Sequence, residues 1–377
     1  MERIKSRQSD FILVLLLIML SGVGITMLFS SSYVFSARVF QDPFHLVKRH
    51  LIFMGVGVIS ALVLAVTPLS VYRPLMPAIL IVSLLACILP FVPGFGIEVL
   101  GSRRWINLFG ISFQPSELMK LTLVLYLAHY FSKPERGRTM NELIPPFVTT
   151  VLAAAIVYIQ NDYSAAVFML VMGLAMMFIA RVRLLHFFLL SLIAVPASFF
   201  LLFTKEHRVQ RLLTFLDVGS DKAGNAYQIA NSQSAFVAGG IAGKGLGRSA
   251  AKLGPLPMSY SDFIYAIIGE ETGLLGALFV LILFVVLAWR GYRIAAASSD
   301  SLCSYLAFGI TTTIVLQALL NMTVAVGLVP TTGVTLPFFS AGGSSLALTL
   351  AMCGLLYNVA RNGGNGAERI QERGIDV

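Results

Sequence analysis

The chain has 377 residues, of which 57% are hydrophobic and only 12% charged, and its mean hydropathy is +0.84. Soluble domains carry about a quarter charged residues, so half that share excludes a water-soluble globular protein and points to lipid as the solvent. The net charge of +9 does not mark a nucleic-acid binder: the basic residues are scattered in short segments between apolar runs, the pattern by which membrane proteins set their orientation.

In chain order, a short basic stretch from Glu2 to Arg7 precedes an apolar run from Phe11 to about Phe29. That run is longer than a signal-peptide core and has no small-residue cleavage site, so it is read as a retained first helix. Further spans of roughly twenty residues are predicted near 51–67, 74–92, 116–131, 143–160, 164–180, 187–203, 263–289, 303–327 and 344–360. The expected fold is an all-α polytopic membrane protein of about ten transmembrane helices, one membrane domain over residues 1–377 without internal repeats. Fourteen Lys and Arg residues fall in the segments on the N-terminal side of the membrane, against five in the short loops opposite. The positive-inside rule then makes both termini cytoplasmic, with a cytoplasmic tail at 361–377. It also puts three unusual segments together on the outer side: 93–115, a long extracytoplasmic loop at 204–262, and 328–343.

Cys87, Cys303 and Cys353 lie inside apolar stretches without paired spacing and read as inert small hydrophobes. The five histidines show no metal-ligand spacing, and no structural metal is expected.

The outer segments hold the residues that could carry chemistry. Arg103 and Arg104 beside Trp105 suit an anionic headgroup, since Arg forks match phosphate oxygens and Trp favours the membrane interface; plain interfacial anchoring fits the same residues. Ser116, Glu117 and Lys120 read as a helix cap with a local ion pair lining a hydrated cavity. Asp162, between two apolar spans, reads by itself first as an N-cap for the following helix. The 204–262 segment contains Arg208 and Arg211, then a glycine-rich run from Gly239 to Gly247, which suggests backbone approaching a ligand or another segment rather than a packed helix. The run lacks the order of a P-loop. Asp262, after Ser261, stands where water meets lipid; partial desolvation there would raise its pKa and suit a general base, and an N-cap is the alternative. Glu270 and Glu271, about two turns into the next span, mark a functional or inter-helix polar site. The stretch from Pro330 to Ser345 cannot be regular helix, and the N–H groups around Ser344 and Ser345 at the start of the last span could meet an anion.

Five motifs in order, Arg104-Trp105-Ile106, Gln114-Pro115-Ser116-Glu117, Ser261-Asp262-Phe263-Ile264, Gly269-Glu270-Glu271 and Leu336-Pro337-Phe338 through Ser345, resemble the SEDS family (shape, elongation, division and sporulation) over nearly all of 11–360. The resemblance implies a peptidoglycan glycosyltransferase in the bacterial cytoplasmic (inner) membrane. Such an enzyme polymerises lipid II at the outer face, together with a class B penicillin-binding protein and, at the septum, other divisome membrane proteins. It implies that Asp262 is the essential acid and that Arg104, Trp105, Glu117, Lys120 and Asp162 are cavity residues. Thr335-Leu336-Pro337 and the Arg103-Arg104 pair look like the division branch, whereas Gly243-Lys244-Gly245 leans towards the elongation branch; the division branch is favoured. The chain departs from the family in having Tyr260 where His is usual, Ala341 where Tyr is usual and Asn161 where Pro is usual.

A lipid-pyrophosphate donor carries its own leaving group, so the reaction needs a base for the acceptor hydroxyl and positive charge at the departing pyrophosphate. The expected assignment is Asp262 as base, with Arg103, Arg104, Lys120, Arg208 and Arg211 holding pyrophosphate, and Ser261, Ser344 and Ser345 near the substrate. A divalent cation, Mg or Mn, is the one cofactor expected, as a counter-ion at the pyrophosphate. Two other readings suit the same sequence: a lipid II flippase built around a hydrated cavity and intramembrane acids, and a non-catalytic scaffold that activates its partner synthase.

Overall fold

The computed structural model describes residues 2–99, 102–108, 111–133, 139–180, 182–216 and 225–362; the expected cytoplasmic tail lies almost wholly outside them. Helices form wherever the apolar runs occur, because in lipid a backbone N–H or C=O has no water to bond and must be satisfied within its own segment. In order they are α1 (Glu2–Phe40), α2 (His45–Val66), α3 (Leu69–Tyr72), α4 (Met76–Ala86), α5 (Pro115–Phe131), α6 (Met140–Ile159) and α7 (Tyr163–Ile179). Then follow α8 (Leu184–Leu202), α9 (Glu206–Leu216), α10 (Asn225–Gly239), α11 (Ile264–Ala297), α12 (Ser301–Ala325) and α13 (Gly343–Asn362).

Each expected span coincides with a helix, but among the described residues only seven helices are long and apolar enough to cross a membrane: α1 from Phe11, α2, α6, α8, α11, α12 and α13. Two further apolar stretches, Met76–Phe91 and Tyr163–Ile179, are shorter. The remaining expected span, α5, has 17 residues and carries Glu117 and Lys120. It is the central element of the bundle, buried along most of its length against α4, α7 and α12. By contrast α8 buries only Leu190 and Ala194 and turns the rest of its apolar surface outward, as a lipid-facing helix does.

Two expectations for the outer segments need correction. Within the mostly helical fold, the 93–115 segment, expected as loop, carries a three-stranded antiparallel sheet, β1 (Gly96–Val99), β2 (Ser102–Leu108) and β3 (Ile111–Phe113), with Ile97 opposite Trp105 and Asn107 opposite Ser112. In β1 and β3 apolar residues alternate with polar ones, Ile97-Glu98-Val99 and Ile111-Ser112-Phe113, the period of a strand rather than a helix. Nor is 204–262 a single loop, since it contains α9 and α10. The glycine-rich run after α10 does make the expected close approach. A Cβ at Gly239 would collide with the Gly269 carbonyl, and one at Gly243, where φ is +79°, would collide with that of Glu271.

That approach repairs a break in α11. Gly273 has φ +70° and ψ −167°, which interrupts the helix. The neighbouring run supplies the missing partners: Leu274 N donates to Gly240 O at 2.9 Å, Lys244 N to Glu270 O at 3.0 Å and Gly245 N to Glu271 O at 2.9 Å. Glu270 and Glu271 complete the joint. Glu270 accepts from Lys244 Nζ at 2.6 Å, from Ala250 N and Ala251 N, and from the Ser249 hydroxyl. Glu271 accepts from Lys252 Nζ and from Ser30 Oγ of α1, both at 2.5 Å. The two acids thus form an inter-element polar joint, with each charge paired and hydrogen-bonded as burial requires.

Candidate active site

Asp262 lies at the head of α11, on a turn running from Met258, and three contacts fix the backbone of residues 260–262. Asn321 Nδ2 of α12 donates to Asp262 O at 2.8 Å and to Val334 O at 2.7 Å. Ser340 Oγ donates to Ser261 O at 2.7 Å, and Ala341 N donates to Tyr260 O at 3.0 Å. The 330–342 segment is therefore a strap across the Asp262 turn, and Ala341 and Tyr260 meet through backbone atoms. The Tyr260 ring itself turns to Phe35 of α1, 4.4 Å between centroids.

The strand period sorts the 102–107 residues. Ser102, Arg104 and Ile106 face the bundle, where Ser102 Oγ donates to Gln160 O at 3.0 Å and Ile106 is buried. Arg103 and Trp105 take the other face, and Arg103 forms an exposed pair with Glu98 at 2.9 Å. Arg104 Nη1 reaches Asp162 Oδ2 at 3.4 Å, and Gln114 Nε2 donates to the same oxygen at 3.1 Å. The other oxygen, Asp162 Oδ1, accepts from Ala165 N at 3.1 Å. Asp162 is thus the N-cap of α7 and at the same time a partner of Arg104 and Gln114.

Arg104, Arg211, Asp162 and Asp262 share one electrostatic field. Burial pushes the Asp262 carboxyl above the usual carboxylate range; the Ser261 hydroxyl, which donates to Oδ1 at 2.9 Å, and the charges of Arg104 and Arg211 oppose that rise, and Asp162 adds to it. Two carboxylates and two guanidiniums from β2, α9, the α6–α7 turn and the head of α11 therefore lie within electrostatic reach of one another, with Arg104 and Asp162 in direct contact. The arrangement can accept a proton at Asp262 and hold an anion at the arginines.

The other expected site residues are placed elsewhere. Lys120 is buried, paired with Glu117 at 2.8 Å, donating to Gln317 Oε1 at 2.6 Å, and 5.2 Å from the Phe168 ring centre. Gln317 in turn donates to Thr335 O and Ser345 Oγ, both at 3.1 Å. Ser344 Oγ accepts from Gln114 N at 3.1 Å. Glu117, Lys120, Ser344 and Ser345 thus make a polar spine beneath the cluster, with both serine hydroxyls engaged in packing. Arg208 is buried, stacked on Tyr158 and Tyr163 with its guanidinium carbon 4.5 and 5.3 Å from the ring centres, and donates to Leu201 O. Sequence reasoning assigned no role to Gln114, Gln317, Asn321 or Ser340. Gln317 and Asn321 did carry a signal, being two amides one turn apart inside an apolar span. Among the described residues, no group of three His, Cys, Asp or Glu gathers to hold a metal ion.

A family model described as cell cycle protein, covering FtsW, RodA and SpoVE, matches residues 9–364. The stage V sporulation protein E of Bacillus subtilis is 36% identical over 359 residues, covering 95% of this chain and 98% of that one. A probable peptidoglycan glycosyltransferase FtsW of Trichlorobacter lovleyi is 36% identical, covering 93% of each chain. Among solved structures, a chain of a peptidoglycan synthase complex that coordinates polymerization and crosslinking superposes with a TM-score of 0.76 at 28% identity, covering 94% of this chain and 98% of that one. The rod shape determining protein RodA of Thermus thermophilus superposes with a TM-score of 0.68 at 26% identity, covering 93% and 96%.

Proposed function

Since the chain belongs to the FtsW, RodA and SpoVE family of membrane-embedded cell cycle proteins, we propose that it is a peptidoglycan glycosyltransferase that polymerises lipid II at the outer face of the bacterial cytoplasmic membrane. The observation that carries this reading is the convergence of Asp262 with Arg104, Arg211 and Asp162 at one end of the bundle.

In the reaction, the acceptor sugar hydroxyl attacks the anomeric carbon of the donor. The new C–O bond forms as the bond to the pyrophosphate oxygen breaks, the hydroxyl proton passes to Asp262, and the pyrophosphate leaves with the bonding electrons. Arg104 and Arg211 stabilise the charge that grows on it. Asp162 keeps Arg104 oriented while capping α7. One displacement with one base inverts the anomeric centre, as in single-step glycoside chemistry. A divalent cation, if bound, would be held by Asp162 beside the pyrophosphate and would supply positive charge to the leaving group. Both termini are assigned to the cytoplasm, the partner is a class B penicillin-binding protein, and the Arg103-Arg104 and Thr335-Leu336-Pro337 motifs favour action at the division septum.

The test is lipid II polymerisation by the purified protein with its cognate penicillin-binding protein, whose transpeptidase is blocked so that only glycan strands are scored. Strands from wild type and none from folded Asp262→Ala support the proposal. No strands from either, with lipid II crossing liposome bilayers, would replace it with a transporter; strands from both would remove Asp262 from its role.

A further inference from the structure

At the end of the bundle opposite Asp262, a cavity of about 430 Å³ opens between the turn joining α2 to α4, the last turn of α5 and the start of α12. Its polar lining is Ser70, Arg73, His129 and Asp300, and Leu69 and Leu302 contribute to its apolar wall. It is separate from the candidate active site: α5 starts beside Gln114 and reaches His129 fourteen residues later, about 21 Å along a helix.

The lining carries opposite charges that do not neutralise each other. The Arg73 guanidinium forms no hydrogen bond or ion pair among the described residues, although its backbone N–H is bonded to Leu69 O. Arg73 and Lys133 both lie within electrostatic reach of His129, whose Nδ1 is buried without a hydrogen-bond partner. Facing them is Asp300, the N-cap of α12. One of its oxygens accepts from Leu302 N at 3.1 Å, while the other has, among the described residues, only the weak thiol donor of Cys303 at 3.8 Å. A plain anion would suit Arg73 and meet repulsion from Asp300; a plain cation would meet the converse. A ligand carrying a phosphate and a primary ammonium a few bonds apart satisfies both sides. The turn that supplies Arg73 also exposes Val71 and Leu75, apolar side chains beside the cavity that suit an acyl chain better than water.

We propose that this cavity holds the headgroup of a phosphoethanolamine lipid, with its phosphate on Arg73 and the His129 ring N–H and its ammonium on Asp300. The site would read the lipid of the leaflet opposite the one in which the candidate active site works.

The test uses the delipidated full-length protein in detergent. Native mass spectrometry follows retention of phosphatidylethanolamine and of phosphatidylglycerol with the same acyl chains, with soluble phosphoethanolamine as a competitor. Wild type is expected to retain one phosphatidylethanolamine in preference to phosphatidylglycerol, by at least about tenfold. Arg73→Gln should lose that retention. Asp300→Asn keeps the N-cap, because Asn caps as well as Asp, and should abolish the preference between the two lipids. Both residues are exposed, and a melting curve for each variant confirms that it is folded. Equal retention of the two lipids by wild type, or undiminished retention by folded Arg73→Gln, overturns the proposal. Displacement of the lipid by equimolar soluble phosphoethanolamine overturns it too, since the ligand would then be the free headgroup.

Discussion

Asp262 carries opposing demands in one carboxyl group. Its burial lifts the pKa and so makes the ionised form a better base, while the Ser261 hydroxyl and the charges of Arg104 and Arg211 oppose that rise. A base must be deprotonated to act, so strand synthesis should rise with pH through the pKa of Asp262 and fall away on the acid side. Arg211→Gln removes a charge that lowers this pKa, and should move the acid limb of the pH–rate profile upward. An unmoved limb would show that Arg211 does not act on Asp262. Asp262→Asn should slow polymerisation by about 10²- to 10⁴-fold, the usual worth of a positioned base. The same substitution should raise the melting temperature at neutral pH. A carboxyl whose folded pKa lies above its unfolded value costs stability as pH rises through that window, and the cost persists above it. Measuring both on one preparation separates a catalytic loss from unfolding. At this scale the sequence was informative about Asp262, Asp162 and Arg104, whose neighbours made recognisable motifs. It said little about which of Arg208 and Arg211 serves the cluster, because that depends on how α9 sits against the bundle. Arg208 is taken up by Tyr158 and Tyr163.

At the scale of elements, the joint at Gly273 determines where Asp262 can stand. The head of α11 and the Asp262 turn sit on one side of the break, and the membrane-spanning remainder of the helix sits on the other. The glycine-rich run replaces the hydrogen bonds that the break removes, and the buried Lys252–Glu271 pair ties that run to Ser30 of α1. Gly243→Ala places a side chain at φ +79° against the Glu271 carbonyl and should cost about 1–3 kcal/mol, read as a fall in melting temperature in detergent. Lys252→Met leaves Glu271 buried without its cation, at a cost of about 3–5 kcal/mol. The double variant Lys252→Met with Glu271→Gln should recover much of that loss, since no uncompensated charge remains. If the double variant is as unstable as the single one, the joint is held by packing rather than by charge. The sequence signalled Glu270 and Glu271 as a polar site and the glycines as a close approach. That each is the other's partner required the fold, because Lys244 and Glu270, for example, stand 26 residues apart.

Across the whole molecule, two polar regions sit at opposite ends of an apolar bundle, the candidate active site at one and the Arg73 cavity at the other. The assignment of sides predicts that a membrane-impermeant thiol reagent applied to intact cells labels Leu246→Cys, which is exposed near the Asp262 end, and leaves Arg183→Cys unlabelled. The reverse pattern would invert the topology. The native cysteines are buried and should stay silent. Composition by itself determined the solvent of this protein, because a chain with so few charges cannot be hydrated over its surface. Apolar run lengths determined where helices form, because lipid leaves the backbone no other partner. The sheet, the shorter helices and the strap over the Asp262 turn were decided by tertiary structure. So was the division of the predicted residues into cluster, polar spine and outward-facing strand edge. Side-chain direction on a strand and contacts across a bundle depend on which surfaces meet, and that information belongs to no single segment.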